Sequence, residues 1–487
     1  MKTKIILSAV FILFATGAAS QNSQVLYFMD LPQNHLVNPA FRPSNRVYVG
    51  LPGLTGVNAS LKNNMFNFSD LLPEKGETND SEVPFLNKDF DTEGFMSRLK
   101  NINYFEPEGT VQLLGIGISP DKYKDLYIFL DVNEHVSAGI MLPRDFFRLT
   151  FEGNQDLAGQ SFDLSNTRVN ALYYREIGIG ASKNINPRLR VGGKVRLLFG
   201  VASAGLSNKG LNLTVNNDYT NTLEADMSLD ISGPLSVVAD ADGIIEDVVF
   251  DDRFNDATDV ISFLGNTKNA GFGVDLGASF VVTDRLTVSA SITDAGFIKW
   301  KSDVTSLKAR GTIELSGLDL QDVYNETATL EDVAGSLIDS LRNAFVLANE
   351  VKQFTTRIPA GLAVGGRYDL NDKFSLGLLS YTQISDKQIR EALTVSGNMN
   401  IGNILTTTLA YTACNHRYDN IGLGFGVRGS VFQFYFLCDK IPLLWKRSGG
   451  SDGEIFLPAR WNTLHARVGM NLVFGNKTAR STYLLEQ

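Results

Sequence analysis

Apolar and polar side chains alternate along much of this chain with a period of two. In residues 461–474, Leu464, Ala466, Val468, Met470, Leu472 and Phe474 share one parity. His465, Arg467, Gly469 and Asn471 share the other, with Val473 the one apolar exception. Successive side chains of a strand point to opposite faces, so this segment reads as a strand with one apolar face. The pattern recurs. Residues 188–199 set Leu189, Val191, Val195, Leu197 and Phe199 against Arg188, Arg190, Lys194 and Arg196. Residues 223–231 set Leu223, Ala225, Met227, Leu229 and Ile231 against Glu224, Asp226, Ser228 and Asp230. Residues 272–282 carry Asp275 on the polar face, and 307–316 carry Lys308 and Arg310. Residues 358–370 set Ile358, Ala360, Leu362 and Val364 against Arg357, Gly361 and Arg367. Weaker alternation marks 47–61, 109–118, 126–141, 169–181, 211–215, 286–293, 374–384, 393–399, 405–412, 421–427 and 431–437.

A soluble β-sandwich with one wet face alternates in the same way. Three features favour a membrane barrel. The segments often reach about 10 residues, the length a tilted spanning strand needs. Short connections repeat one chemistry, Asn or Asp followed by a cation: Asn184, Asn186 and Arg188; Asp284 and Arg285; Asn371, Asp372 and Lys373. Long connections, at 62–108, 142–166, 232–270, 317–355 and 439–460, all fall on the opposite side when crossings are counted from the C-terminus. Short periplasmic turns and long outer loops are barrel topology. The expected fold is all-β: one transmembrane antiparallel β-barrel over residues 46–474. It should have about 14–16 strands, and 16 if 286–316 is one long bent strand. A polar tail, 475–487, follows.

The chain starts with Lys2 and Lys4, an apolar run and Ala18, Ala19 and Ser20. This is a signal peptide over residues 1–20, cleaved after Ser20. No other segment is apolar enough for a spanning helix. Export without such a helix implies a soluble protein or an outer-membrane barrel of a Gram-negative cell. The mean hydropathy of −0.03, with 44 glycines, fits alternation between lipid and lumen. A net charge of −9 argues against nucleic acid as a partner. Membrane lipid and lipopolysaccharide are the expected surroundings.

Chemistry motifs are missing: no nucleophile elbow, phosphate loop or zinc-helix signature is present. No catalytic residue, metal site or cofactor is expected, and the chain is not read as an enzyme. Gly422, Gly424 and Gly426 form the inward face of a strand, not a phosphate cradle. Asn415, His416, Arg417, Tyr418 and Asp419 cluster in a predicted outer turn. Asp240, Ala241, Asp242 and Gly243 resemble part of a calcium loop, but Val238 and Val249 stand where ligands belong, which favours a solvated loop. Residues 320–354 have helical apolar spacing through Val333, Leu337, Leu341 and Phe345, predicting an amphipathic helix in an outer loop, as a pore cap or lying across other loops. Cys414 and Cys438, the only cysteines, either pair in loops or stay free.

The informative constellation is the predicted lumen: Arg188, Arg190, Lys194, Arg196, Lys308, Arg310, Arg357, Arg367 and Arg467, with Glu224, Asp226, Asp230, Asp275 and Glu314. Such groups are too costly to face lipid. They either pair across the interior and knit the barrel, or line a polar conduit or ligand pocket. On this register Leu197→Arg should oppose insertion, whereas Arg196→Leu should be tolerated and alter internal pairing.

Residues 24–28 leading to Asn38, Pro39, Ala40 and Phe41 resemble the start of FadL-like and PorV-like outer-membrane barrels. Leu142, Pro143, Arg144 and Asp145 are similar to an uncharacterised outer-membrane barrel family of Bacteroidota. So are Glu152, Gly153 and Asn154; Tyr174, Arg175 and Glu176; Gly192, Gly193 and Lys194; and 294–298. The FadL resemblance implies that residues 21–45, with Asn38, Pro39, Ala40 and Phe41, fold back as a hatch in the lumen. It also implies passive transport or ligand binding of small molecules. The alternative is a non-enzymatic accessory or scaffold barrel, binding protein partners in an outer-membrane secretion or assembly complex.

Overall fold

The structure, a computed structural model, describes residues 24–66, 92–123, 125–233, 235–239, 245–250, 265–315, 348–385, 389–402, 404–414, 417–441, 445–448, 455–458 and 463–476. The signal peptide, the tail and both acidic loop clusters lie outside them, wholly or in large part. So does most of the predicted amphipathic helix, although Ala348–Glu350, near its end, is a strand.

Two 3₁₀ turns, Leu26–Phe28 and Pro32–Leu36, precede the first strand. In chain order the strands are β1 (Asn45–Gly50), β2 (Gly56–Asn63), β3 (Ile102–Ile118), β4 (Leu126–Pro143), β5 (Ser161–Asp163), β6 (Arg168–Asn184), β7 (Leu189–Val215) and β8 (Asn221–Ser232). There follow β9 (Leu235–Ala239), β10 (Ile245–Phe250), β11 (Asn269–Thr283), β12 (Leu286–Trp300), β13 (Val304–Leu315), β14 (Ala348–Glu350), β15 (Phe354–Ile358) and β16 (Ala360–Asp369). The last are β17 (Phe374–Ile384), β18 (Ile389–Ile401), β19 (Leu405–Cys414), β20 (Arg417–Arg428), β21 (Phe432–Cys438), β22 (Trp445–Ser448), β23 (Ile455–Pro458) and β24 (Thr463–Asn476). Helix α1 (Thr92–Arg98) lies between β2 and β3, and α2 (Arg144–Phe151) and α3 (Gly153–Leu157) follow β4.

The wall is a closed antiparallel barrel of 14 staves. β1 and β2 form one interrupted stave, as do β15 and β16. Closure comes from β24, which pairs with β1 (Val47↔Phe474) and β2 (Val57↔Val468). With no free edge, every wall strand satisfies its backbone within the sheet, a requirement in lipid. The outer surface inverts the order of a soluble protein. Leu276 and Leu409 are 59% and 57% exposed, while Arg196 is 0% exposed. Ile179, Leu197, Leu378 and Leu393 continue the exposed apolar band. Such a band, flanked on the inner face by charges, marks a membrane-spanning barrel.

The turn asymmetry holds. Connections 119–125, 185–188, 284–285, 370–373, 402–404 and 429–431 are short and lie at the end that carries Asn45 and Asn476. Asx chemistry closes them. The Asn186 carboxamide oxygen accepts from the Arg188 and Leu189 amides at 2.9 Å, and Asn371 accepts from Lys373 and Phe374 at 2.9 Å.

Two predicted crossings are not staves. β7 leaves the wall after a bulge opposite Tyr173 and Tyr174, and its outer half pairs with β5 (Phe162↔Leu213) and β8 (Leu213↔Leu223). β8 then pairs with β13 (Leu223↔Ile313), and β13 with β14. Beneath this fin the wall closes directly, β7 on β11 and β12 on β15 and β16. Residues 286–316 are therefore a stave followed by a fin strand, not one bent crossing. The apolar face of the fin is covered by protein: Leu223, Ala225 and Ile313 pack with Leu211 and Leu213. Leu157, Phe162, Leu164 and Val215 pack beside them. Alternation records one apolar face and does not say whether lipid or protein covers it.

Candidate functional site

Residues 24–42 fill the lower lumen. Val25, Leu26, Tyr27, Phe28, Met29 and Leu31 are buried with inward side chains of the wall, among them Ala363, Leu379, Tyr381, Tyr435 and Leu437. The wall makes room with glycine. A Cβ on Gly424 would lie 2.4 Å from Met29 and Val25, and one on Gly192 would lie 2.1 Å from the Pro39 carbonyl. The inward Gly face of β20 is thus the seat of this segment.

Polar contacts fix its ends. Asp439 accepts from the amides of Gln24 and Val25 at 3.2 and 3.0 Å. The Gln33 and Asn471 carboxamides exchange hydrogen bonds of 2.8 and 3.1 Å. Asn38, fully buried, donates to the carbonyls of Ala278 and Ala290 at 3.4 and 3.3 Å, and its own oxygen accepts from Ala40 at 2.9 Å. Pro39 lies on Gly192, Ala40 is buried, and Phe41 meets Tyr27 edge-on at 5.1 Å. The first stave bends inward to join this packing. Between Gly50 and Gly56 the chain bulges, and the Thr55 carbonyl accepts from Tyr435 at 2.7 Å.

An ionic cluster sits beside the segment. Glu176 bridges Lys194 at 2.7 Å and Arg196 at 2.5 Å. Arg196 also reaches Asp294 at 2.9 Å and Asp275 at 3.6 Å. Asp131 takes the Gln112 carboxamide at 2.7 Å, Lys194 at 3.4 Å and His35 at 2.8 Å. The other nitrogen of His35 is 2.7 Å from the Pro32 carbonyl. Both ring nitrogens thus face oxygen atoms, and the ring links the segment to the wall. Val473, the apolar exception of the last strand, points inward with Tyr48, Tyr127 and Phe129. The His35 ring packs tilted against Phe129, with centroids 4.3 Å apart.

Above the segment lies a cavity of about 570 Å³, with Leu36 in its lining and Arg168, Ser207 and Phe354 toward its outer border. An ion pair and a hydrogen bond cross the lumen here. Arg390 forms a two-toothed bridge to Glu106 at 2.6 and 2.8 Å, and Lys62 lies 3.3 Å from both Glu108 and Gln383. β18 and β17 are thereby tied to β3 and β2 on the facing wall.

The predicted lumen residues divide. Lys194, Arg196, Asp275, Arg367 and Arg467 share inward parity on their staves, Arg367 bonded to Asp369 at 2.7 Å. Arg190 is half-buried and donates to Asn184 at 2.7 Å. Arg188 is exposed in the turn. Glu224, Asp226, Lys308, Arg310 and Glu314 belong to the fin, where Arg310 pairs with Asp226 at 2.8 Å with little burial. Asp230, also on the fin, reaches the outer border of the cavity and accepts from Ser306 at 2.6 Å. Arg357 is exposed, in register with Phe297, and at the border of the cavity, while Ile358 is buried with Leu198, Ile298 and Trp300. The break at Pro359 shifts the parity by one, which the alternation could not reveal. Cys438 is a free, buried thiol whose Sγ is 3.2 Å from the Lys440 carbonyl.

Sequence reading missed His35, Asp131, Glu176, Asp294, Lys62, Glu106, Glu108 and Arg390. Asp131 and Glu176 stand in segments with weak alternation, because Tyr127 and Phe129 also face inward. Among the described residues no cluster suits a metal ion.

A closed, membrane-spanning β-barrel with its N-terminal segment seated in the lumen is the class this geometry defines. A model described as a family of unknown function (DUF5723) matches residues 39–439, and the chain belongs to that family. No curated protein matches. Solved structures with a similar course include the toluene transporter TbuX of Ralstonia pickettii, at 9% identity, 95% of this chain, 100% of that chain and a TM-score of 0.41. The P. putida toluene transporter TodX is 12% identical over 91% and 95% of the chains, with a TM-score of 0.40. A Pseudomonas aeruginosa FadL homologue is 13% identical over 94% and 97%, with a TM-score of 0.39.

Proposed function

We propose that this is a non-enzymatic outer-membrane barrel that binds small polar molecules and passes them through its lumen, residues 24–42 acting as the hatch. The observation that carries this is the cavity of about 570 Å³ directly above that segment, whose lining includes the charged side chains of Lys62, Glu106, Glu108, Arg390 and Arg467. A hydrocarbon substrate fits poorly, because the paired charges of Glu106, Arg390, Lys62 and Glu108 border the space. The signal peptide, removed after Ser20, delivers the chain across the inner membrane of a Gram-negative cell, and lipid and lipopolysaccharide surround it.

Liposomes test the reading. In the doubly substituted Asn38→Cys, Gly277→Cys protein, oxidation should lock the segment to the wall, since a Cβ at 277 would touch the Asn38 side chain. Arabinose and glycine entry should stop on oxidation and resume on reduction. Entry unaffected by the lock, or no entry in either state, rejects the hatch.

The fin favours a second reading, a scaffold barrel that binds protein partners. It stands at the end of the molecule opposite the short turns. A stoichiometric partner retained through mild detergent purification, and lost when the fin is removed, would support it.

A further inference from the structure

We infer that the cavity holds an anionic group, a carboxylate or a phosphate, against Arg467. This rests on the ligand-binding reading and names the ligand's chemistry. Three cations that line the cavity have carboxylates: Lys194 has Glu176, Arg390 has Glu106, and Lys62 has Glu108. Arg467 lines the same cavity on β24, in register with Asn58 of β2 and Leu437 of β21. Among the described residues its one hydrogen bond is a long one, from Nε to the Asn58 carboxamide oxygen at 3.4 Å, and it has no ion pair there.

A guanidinium inside a barrel wall costs free energy until a negative charge or strong acceptors meet it. The nearby carboxylates are committed. Asp131 is held by His35, Lys194 and Gln112, and Asp439 by the amides of Gln24 and Val25 and by His465. The terminal nitrogens of Arg467 are left for a ligand. One inward neighbour on β2 can complete a cradle: Asn58 lines the same cavity, and its amide nitrogen makes no bond within the described residues. A planar donor fork beside an amide can take an oxyanion in two-toothed fashion. Arg168 stands at the outer border of the cavity and is partly exposed.

The test uses the mature protein in phosphatidylcholine nanodiscs, titrated with inorganic phosphate or butyrate against sodium chloride at matched ionic strength. The thermal midpoint and calorimetric binding are read. A saturable rise should appear with at least one anion, weaken at least tenfold in Arg467→Gln and survive in part in Arg467→Lys. Arg310→Gln, on the fin, should bind as the parent does. Asn58→Asp supplies the missing counter-charge, so it should raise the midpoint by itself and abolish the response. It keeps the question answerable if Arg467→Gln fails to insert. No saturable response in the parent, or an equal response in Arg467→Gln, overturns the proposal. Nanodiscs containing phosphatidylglycerol separate the sources: a midpoint raised by the lipid, with loss of the response to free anion, assigns the site to a headgroup, and an unchanged response assigns it to a soluble anion. Arabinose entry without any anion response leaves passage standing and removes this site; the reverse keeps the site and removes passage.

Discussion

Arg196 and Leu197 are adjacent on β7 and meet opposite solvents. Leu197 is 49% exposed in the outer band, whereas Arg196 is wholly buried among Glu176, Asp275 and Asp294. Leu197→Arg should cost about 2–4 kcal/mol if the site lies near the midplane. Arg196→Leu is the larger correction. The sequence alone predicted tolerance, because the partners of Arg196 lie on other staves and no local pattern reveals them. With three carboxylates converging on it, its loss leaves buried negative charge uncompensated and should cost about 3–5 kcal/mol. Denaturant titration of folding into bilayers checks both. If Arg196→Leu folds like the parent, the cluster around Glu176 is not structural. Parity was legible here because the alternation of residues 188–199 is unbroken. At Arg357 it was not, because the inward parity switches across the strand break at Pro359.

At the scale of the element, the N-terminal segment shows how a seat can be legible while its occupant is not. Gly422, Gly424 and Gly426 alternate with Leu423, Phe425 and Val427, so an inward glycine stripe follows from period two. The occupant consists of two short 3₁₀ turns with no periodicity. Only the resemblance through Asn38, Pro39, Ala40 and Phe41 pointed to it. The two glycine contacts differ in kind, and the difference is testable. At Gly424 an added Cβ meets the flexible ends of Met29 and Val25, which can move aside. At Gly192 it meets the backbone of Pro39 and Ala40, so the segment itself must shift. Gly192→Ala should therefore speed amide exchange across residues 38–42 by at least tenfold, and Gly424→Ala should change it little. Equal effects would mean that the segment is held elsewhere. His35→Ala, which removes both the Asp131 and the Pro32 contacts, should loosen residues 31–37 in the same assay.

For the whole molecule, the question is which strands make the barrel. The sequence supplied an all-β chain, short turns at one end and long connections at the other, and those features survive. It could not separate wall from fin, since β8 and β13 alternate as well as any stave. Pairing separates them: β7 and β12 already have wall partners in β11 and β16, through registers such as Leu197↔Phe272 and Ala290↔Val364. The closed wall therefore owes nothing to β8, β13 or β14. Replacing residues 206–266 and 304–350 with short Gly-Ser linkers should leave a barrel that inserts, resists protease within its staves and shifts on a gel when heated. The loss should be local. Leu149, Leu157, Phe162 and Leu164 lose their cover on Leu211, Leu213 and Val215, so α2, α3 and β5 should become protease-sensitive. If instead heat-modifiability disappears, the fin is needed to close the wall, and the boundary drawn at the bulge of β7 is misplaced.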